Sequence, residues 1–254
     1  ESLEDCHFQS AKDVLTMYYN NRSESDLLTG KGLVIGGSHQ ISQLNEEMQY
    51  GDLSAVLLQN TPIWANWIRT PELSIALMDE WEEKIEKMAH HTIQEDVTSI
   101  SGVPTWTLIL IKRILAITGK KTLKEVWPNL ELYIHGGVSF TPYRAQFQQL
   151  IGGGCSYLEM YNASEGFFAA QVSPEEGIFY EFMPVSEYGK PNPKTIGLND
   201  IVVGENYALV ISTNGGLWRY LVGDTVQFIS KYPFKLKVTG RLKQYINAFG
   251  EELI

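Results

Sequence analysis

The stretch from Leu130 to Gly166 decides the fold, and it reads LELYIHGGVSFTPYRAQFQQLIGGGCSYLEMYNASEG. Its apolar start, residues 130–134, ends at two glycines, which is typical of a buried strand. Thr141-Pro142 predicts the start of a helix, because a hydroxyl caps a helix well and proline suits its first position. Glycines at 152–154 would stop that helix, and residues 156–160 would form the next strand. Strand, helix and strand in succession indicate an α/β layer.

The same alternation precedes this stretch. Leu33-Val34-Ile35 lies between glycines, as a buried strand does. Residues 72–92 carry an apolar stripe at helical spacing, and residues 101–104 form a turn that leads into a second apolar helix. Residues 4–19 also show helical spacing. We therefore expect an α/β fold, with sheets flanked by helices, over residues 30–166.

The last third of the chain changes to β signals. Residues 207–212 alternate, Asn214-Gly215 predicts a hairpin turn, and residues 218–229 resume as strand. Residues 234–238 alternate apolar side chains with lysine. An antiparallel β region is thus expected after the α/β part.

Composition limits the partners of the protein. The 254 residues are 44% hydrophobic and 20% charged, with a formal net charge of -10. This composition supports a large core, and the negative charge opposes binding to nucleic acid. Cys6 and Cys155 are too few and too distant for a disulfide scaffold, so both are interpreted as thiols. With no signal peptide and no apolar stretch long enough for a bilayer, we expect a cytoplasmic protein without membrane contact.

The segment Tyr161-Asn162-Ala163-Ser164-Glu165-Gly166 carries the strongest chemical signal. It follows a predicted strand, and ligands bind at the carboxyl ends of strands in open α/β sheets. Tyrosine offers a flat face for a base, serine a hydroxyl, and glutamate a hard oxygen ligand for Mg²⁺. Glycine lets the backbone approach a ligand closely. The alternative is an ordinary loop after a strand.

Three weaker signals accompany this segment. Gly136-Gly137 ends the neighbouring predicted strand and would let a flat ring approach the backbone. Asp224, after Gly223, can accept both hydroxyls of a ribose, although aspartate is also common in turns. Arg241 follows Gly240 and could hold a phosphate or merely lie at the surface.

The order and spacing of these motifs resemble the adenylate-forming superfamily. Gly-Gly is followed by Tyr-x-x-Ser-Glu-Gly, then by Tyr-x-x-Gly-Asp, and then by Gly-Arg ahead of Asn-x-x-Gly-Glu. The forms over residues 161–166, 218–224 and 240–251 are most similar to the auxin-responsive, Gretchen Hagen type of acyl acid amido synthetase. The resemblance covers most of the chain from about Leu33 onward.

The resemblance implies a nucleotide site. Tyr161 would stack on adenine, and Gly136 and Gly137 would line the other side of the ring. Gly166 would allow the backbone to approach the ligand, and Asp224 would bind the ribose hydroxyls. The nucleotide would be ATP, with AMP as product.

The resemblance also implies the reacting groups. Ser164 would lie near the α-phosphate or the acyl carboxylate, and Glu165 would help hold Mg²⁺. Arg241, at a hinge to a smaller C-terminal domain, would contact ribose or phosphate. For the acyl group, apolar Val103 and Trp106, with Pro104 and Leu110, either line a pocket or belong to the plain core.

The chain departs from the family at two points. The family commonly has arginine where this chain has Leu221, and whether Arg219 substitutes for it is open. The family's Ser/Thr-Gly-rich phosphate loop is also missing. We therefore expect an internal fragment, inactive by itself, with residues 1–239 as a partial N-terminal adenylation domain and 240–254 as the hinge and start of a C-terminal domain.

The implied reaction joins a small carboxylic acid to an amino acid or another amine. The acid would attack the α-phosphate of ATP, and the amine would then attack the acyl-adenylate. An acyl-CoA ligase of the same superfamily remains an alternative, since it differs only in the acceptor. A non-catalytic nucleotide-binding regulator is a second alternative, which Leu221 favours.

Overall fold

The chain divides into two compact units. One comprises Val14–Ser164, and the other comprises Glu1–Asp13 with Glu165–Ile254. The computed structural model describes residues 7–37, 41–43, 49–170, 178–213, 216–242, 246–248 and 251–253. The domain boundary expected at residues 239/240 stays a prediction.

The unit Val14–Ser164 is built on a parallel sheet. Its strands are β1 (Lys31–Ile35), β2 (Ile41–Gln43), β3 (Gln49–Gly51), β4 (Arg69–Thr70), β5 (Val97–Gly102), β6 (Leu132–His135) and β7 (Ser156–Ala163). Five of them lie in the order β4-β1-β5-β6-β7, and each neighbouring pair is parallel. β2 and β3 form a separate antiparallel pair. The parallel order confirms the expected α/β layer.

Helices connect and flank these strands. They are α1 (Gln9–Asn21), α2 (Leu53–Gln59), α3 (Leu73–Ala76), α4 (Trp81–Thr92), α5 (Pro104–Thr118) and α6 (Arg144–Ile151), with short 3₁₀ turns at Ile63–Asn66 and Leu123–Glu125. Two further 3₁₀ turns, Val185–Glu187 and Leu198–Asp200, belong to the second unit. In α5, proline begins the helix and Gly119 ends it in the left-handed conformation, with φ at 66°. None of the helices in the described part of the chain is long and apolar enough to cross a membrane.

The core of this unit joins strands and helices. Its fully buried members include Leu33, Ile100, Ile111, Tyr133 and Phe147. The rings of Tyr133 and Phe147 stack with centroids 4.8 Å apart. Burying a side chain of this size contributes roughly 1.5–3 kcal/mol, so the ring pair fixes α6 against β6.

Two helix predictions need correction. Residues 72–92 form two helices, because the chain leaves helical geometry at Leu77 and α4 starts again at Trp81. Glu82 and Glu83 in the first turn of α4 favour a helix start there. Thr141 does not cap α6, since the carbonyl of Phe140 accepts the first N–H groups and the helix begins three residues later than Thr141.

The second unit contains the expected antiparallel region. Its strands are β8 (Gly166–Ala170), β9 (Ile178–Pro184), β10 (Asn206–Thr213), β11 (Tyr220–Lys231), β12 (Phe234–Arg241), β13 (Ile246–Ala248) and β14 (Glu251–Leu253). Four of them form an antiparallel sheet in the order β12-β11-β10-β9. Phe182 and Phe228 meet edge to face in its core. The hairpin turn predicted at Asn214-Gly215 lies outside the described residues.

Cys155 forms no disulfide, and its thiol donates to the carbonyl oxygen of Ser156 at 3.4 Å. Burial raises the pKa of that thiol to about 12, so it stays protonated and unreactive near neutral pH. Cys6 lies outside the described residues.

Candidate active site

The Gly136-Gly137 turn packs against the end of the next strand. A Cβ atom on Gly136 would lie 2.5 Å from the carbonyl oxygen of Met160 and 3.5 Å from Oδ1 of Asn162, so only glycine fits there. Gly137 has a φ of 79°, which other residues rarely adopt. The turn therefore lies directly beside β7, the strand that carries Tyr161.

The segment from Tyr161 to Gly166 is less of a loop than expected. β7 continues through Ala163, Ser164 and Glu165 form a turn, and Gly166 begins β8. The prediction that this segment follows a strand is thus wrong for its first three residues. Their strand geometry fixes the backbone of Tyr161, while Ser164 is exposed at the turn.

The two candidate acyl-binding residues have different surroundings. Val103 precedes α5, and its Cγ2 atom would lie 3.4 Å from a Cβ on Gly137, so it is next to the Gly136-Gly137 turn. Trp106 packs on Trp81, with ring centroids 5.3 Å apart. Pro104, by contrast, is buried within the fold. Val103 and Trp106 are half-buried and remain candidates for contact with a ligand.

Asp224 lies at an irregularity in β11. Its strand advances from Leu221 to Thr225 while β10 advances only from Val210 to Ala208, so extra residues bulge out of the ladder. Gly223 supports the bulge with a φ of 94°. Bulges re-aim side chains and are common beside active sites. The bulge therefore takes the Asp224 side chain out of the regular alternation of β11, and the residue is 7% exposed.

Two predicted site residues form an ion pair in this unit. Nε of Arg241 lies 2.8 Å from Oδ1 of Asp224, and the two residues face each other across β11 and β12. The side chain of Asp224 is 10% exposed and that of Arg241 is 40% exposed. A buried carboxylate needs such a partner, and the exposed guanidinium is accessible to an anionic ligand.

Glu165 lies beside the phenol of Tyr220. The negative charge of Glu165 raises the pKa of Tyr220, with burial as a second cause. Glu165 and the start of β11 therefore meet within one unit. Among the described residues, no group of three or more histidine, cysteine, aspartate or glutamate side chains could hold a metal.

Comparison with known proteins decides the family. The profile of the GH3 family N-terminal domain matches residues 4–155, and that of the GH3 family central domain matches residues 172–241. The chain belongs to the GH3 family. The resemblance drawn from the motifs is confirmed.

Curated GH3 relatives are plant enzymes by name. The chain is 27% identical over 216 residues to indole-3-acetic acid-amido synthetase GH3.3 of Arabidopsis thaliana, and the aligned region covers 76% of this chain and 34% of the relative. It is 31% identical over 120 residues to jasmonoyl–L-amino acid synthetase JAR4 of Nicotiana attenuata, covering 41% of this chain and 21% of the relative. The chain thus spans about a third or less of these relatives.

Solved structures support the fold. GH3.15 acyl acid amido synthetase matches with a TM-score of 0.71 at 16% identity, over 98% of this chain and 55% of that protein. A 2-hydroxyisobutyryl-CoA ligase matches with a TM-score of 0.54 at 10% identity, over 89% of this chain and 51% of that protein. The GH3 chain therefore has the fold of adenylate-forming ligases.

Arg219 does not replace the arginine that GH3 proteins commonly have at position 221. It precedes β11 with a φ of 46°, and its guanidinium donates to Glu181 at 2.9 and 3.0 Å and to Thr195 at 3.0 Å. Its main-chain N–H donates to Ser212 at 3.0 Å. Arg219 is thus committed to β9 and the segment after it, and its guanidinium does not act in place of an arginine at 221.

Sequence reasoning missed two buried groups near the carboxyl ends of the GH3 sheet. His135 is 2% exposed, and burial, assisted by Arg144, lowers its pKa to about 4. Lys84 is 1% exposed, and burial lowers its pKa to about 8 against the opposing charges of Asp52 and Asp79. The lysine had a signal, since it falls within the apolar stripe of α4; the histidine had none beyond its place before Gly136.

Proposed function

We propose that this chain is the nucleotide-binding part of an acyl acid amido synthetase, which activates a small carboxylic acid with ATP and transfers the acyl group to an amino acid. The observation that carries the proposal is the Asp224–Arg241 pair in the β11 bulge, which presents a carboxylate acceptor and a cation side by side. A ribose offers hydroxyl donors and a phosphate offers anionic oxygens, so this pair suits a nucleotide. The names of the Arabidopsis and Nicotiana relatives support the acid and the amine as substrates.

The adenine would lie between the Gly136-Gly137 turn and Tyr161. The turn carries no side chains and Gly137 is exposed, so its backbone would be accessible to a flat ring. Asp224 would accept hydrogen bonds from the ribose hydroxyls, while the guanidinium of Arg241 would contact the ribose or a phosphate. Val103, in contact with the turn, and Trp106 would then be the residues nearest to the acyl group.

The difficulty of the reaction is that a carboxylate oxygen is a poor leaving group. Attack of the carboxylate on the α-phosphate breaks the bond to pyrophosphate and forms an acyl-adenylate. The amine then attacks the acyl carbon, and AMP leaves. The residues of this chain would mainly orient the reactants and stabilise charge at the phosphate, with Ser164 donating a hydrogen bond there.

Glu165 would hold a magnesium ion together with phosphate oxygens. One or two carboxylates plus substrate phosphates are the usual ligands of Mg²⁺, and Glu165 would supply one such carboxylate. When bound, the ion would screen the triphosphate against the incoming carboxylate.

Acid-dependent release of AMP by the full-length protein tests this function. The assay offers ATP with a panel of carboxylic acids, including indole-3-acetic acid and jasmonic acid, and with either amino acids or CoA as acceptor. We expect AMP release that needs both an acid and an amino acid. Discharge by CoA alone would favour an acyl-CoA ligase. ATP binding without acid-dependent AMP release would favour a non-catalytic regulator.

A further inference from the structure

Lys84 is an ionisable residue on the buried face of α4. It is 1% exposed, and its Nζ atom donates to the carbonyl oxygens of Gly36 and Gly37, both at 2.9 Å. These residues follow the carboxyl end of β1. Burial disfavours the ammonium group, and the nearby charges of Asp52 and Asp79 oppose that effect. The lysine satisfies two buried carbonyl oxygens and thereby ties α4 to the residues after β1.

The turn that Lys84 holds is also fixed from its other side. The N–H of Gly37 donates to Oγ of Ser54 at 2.7 Å, and Ser54 donates in turn to Asp52. Asp52 caps α2 by accepting the N–H of Ala55 at 3.1 Å. A Cβ on Gly37 would lie 2.6 Å from the Asp52 carboxylate. The backbone of the turn is thus held by its N–H and by its carbonyls.

This turn borders the residues that are candidates for acyl binding. β1 and β5 are parallel with Ile35 opposite Gly102, and a Cβ on Gly102 would lie 2.9 Å from the Cβ of Ile35. The next residue on the β5 side is Val103. One helical turn before Lys84, Trp81 packs on Trp106, and Nζ of Lys84 lies 5.9 Å from the centroid of Trp81.

We propose that Lys84 is a positioning residue for the carboxylic acid substrate. It ties α4 to the Gly36-Gly37 turn, and α4 in turn supports Trp106 through Trp81. The acyl side of the site then keeps its shape because one buried ammonium holds both the turn and the helix. This inference rests on the proposed function.

The test replaces Lys84 with methionine, which has similar length and no charge. The control is Lys87→Met on the same helix, where the lysine side chain is 51% exposed and pairs with Glu83. Acid-dependent AMP formation by the full-length protein is measured with the best acid of the panel above. Lys84→Met should raise the KM for the acid about tenfold or more, because a mutation that displaces the groups around a substrate can cost up to about a hundredfold even when it lies far from the chemistry. The KM for ATP should stay within about twofold of wild type, and Lys87→Met should change neither.

Several outcomes would overturn the inference. An unchanged KM for the acid would do so, and so would equal increases in both KM values, which indicate a general loss of structure. If Lys84→Met does not fold, Trp81→Leu takes its place and should show the same selective rise. An unchanged KM for the acid in that variant also overturns the inference. Absence of acid-dependent AMP release in wild type would instead sink the proposed function itself.

Discussion

Protonation of His135 should destabilise the fold in mild acid. The imidazole is buried, its Nδ1 atom has no hydrogen-bond partner, and its ring stacks on Phe140 with centroids 3.9 Å apart. Burial is the main cause that lowers its pKa from 6.5 to about 4, and Arg144 adds to it. The folded state therefore keeps this ring neutral, whereas the unfolded chain gains a proton below about pH 6.5.

Proton linkage gives the direction and the size of the change in the free energy of unfolding. A group whose folded pKa is lowered contributes its full stability above the unfolded pKa and loses it as the pH falls toward the folded pKa. For His135 the loss reaches about 2 kcal/mol at pH 5 and about 3 kcal/mol at pH 4, at 1.36 kcal/mol for each pKa unit.

Urea unfolding at pH 7 and pH 5 measures this loss. His135→Phe keeps an aromatic ring against Phe140 and removes the titrating nitrogens, so its pH dependence should be weaker than that of wild type by about 2 kcal/mol. His90→Gln is the control, because the His90 side chain is 61% exposed and its pair with Glu86 lies at the surface, where such pairs contribute little to stability. Its pH dependence should match wild type. Equal losses in wild type and His135→Phe would refute the reasoning.

Three further changes test the site and the core. Asp224→Ala should raise the KM for ATP about tenfold or more in the AMP assay, because a charged hydrogen bond to ribose is lost; an unchanged KM would remove Asp224 from the nucleotide site. Glu165→Gln should lower kcat with little effect on the KM for ATP, since a magnesium ligand acts most as charge moves in the transition state; a change confined to KM would contradict that role. Phe147→Ala should lower the free energy of unfolding by about 3–5 kcal/mol. The control Phe179→Ala, at a residue 66% exposed, should change it by less than about 0.5 kcal/mol. Similar losses in both variants would contradict the assignment of the core.

Local signals predicted the elements that depend on local chemistry. The turn at residues 101–104 located the start of α5, because proline lacks an N–H and suits the first position of a helix. Gly119 ends α5 in the left-handed conformation, and the sequence analysis placed no end there. An apolar run between glycines located β1, and an apolar run that ends at Gly136-Gly137 located β6. The break within residues 72–92 was missed, since the apolar stripe continues across it and periodicity does not report a change of helix axis.

The geometry of the candidate site depended on partners distant in sequence. The bulge around Asp224 arises from the register between β10 and β11, which no pattern within β11 alone contains. The pairing of Asp224 with Arg241 follows from the same ladder. Lys84 differs, because a lysine within an apolar stripe is itself a signal of a buried, hydrogen-bonded charge.

Leucine at position 221 is compatible with a working nucleotide site. The Asp224 carboxylate is balanced by Arg241 across the ladder, so its charge does not require a second cation on β11. Arg219 is balanced in the same way by Glu181, whose side chain is 17% exposed. The carboxylates of Asp224 and Glu181 therefore have partners without an arginine at 221, while Glu165 lies beside the phenol of Tyr220. Leu221 is therefore weaker support for a non-catalytic regulator than the sequence alone indicated. Acid-dependent AMP release is the measurement that separates a regulator from an amido synthetase.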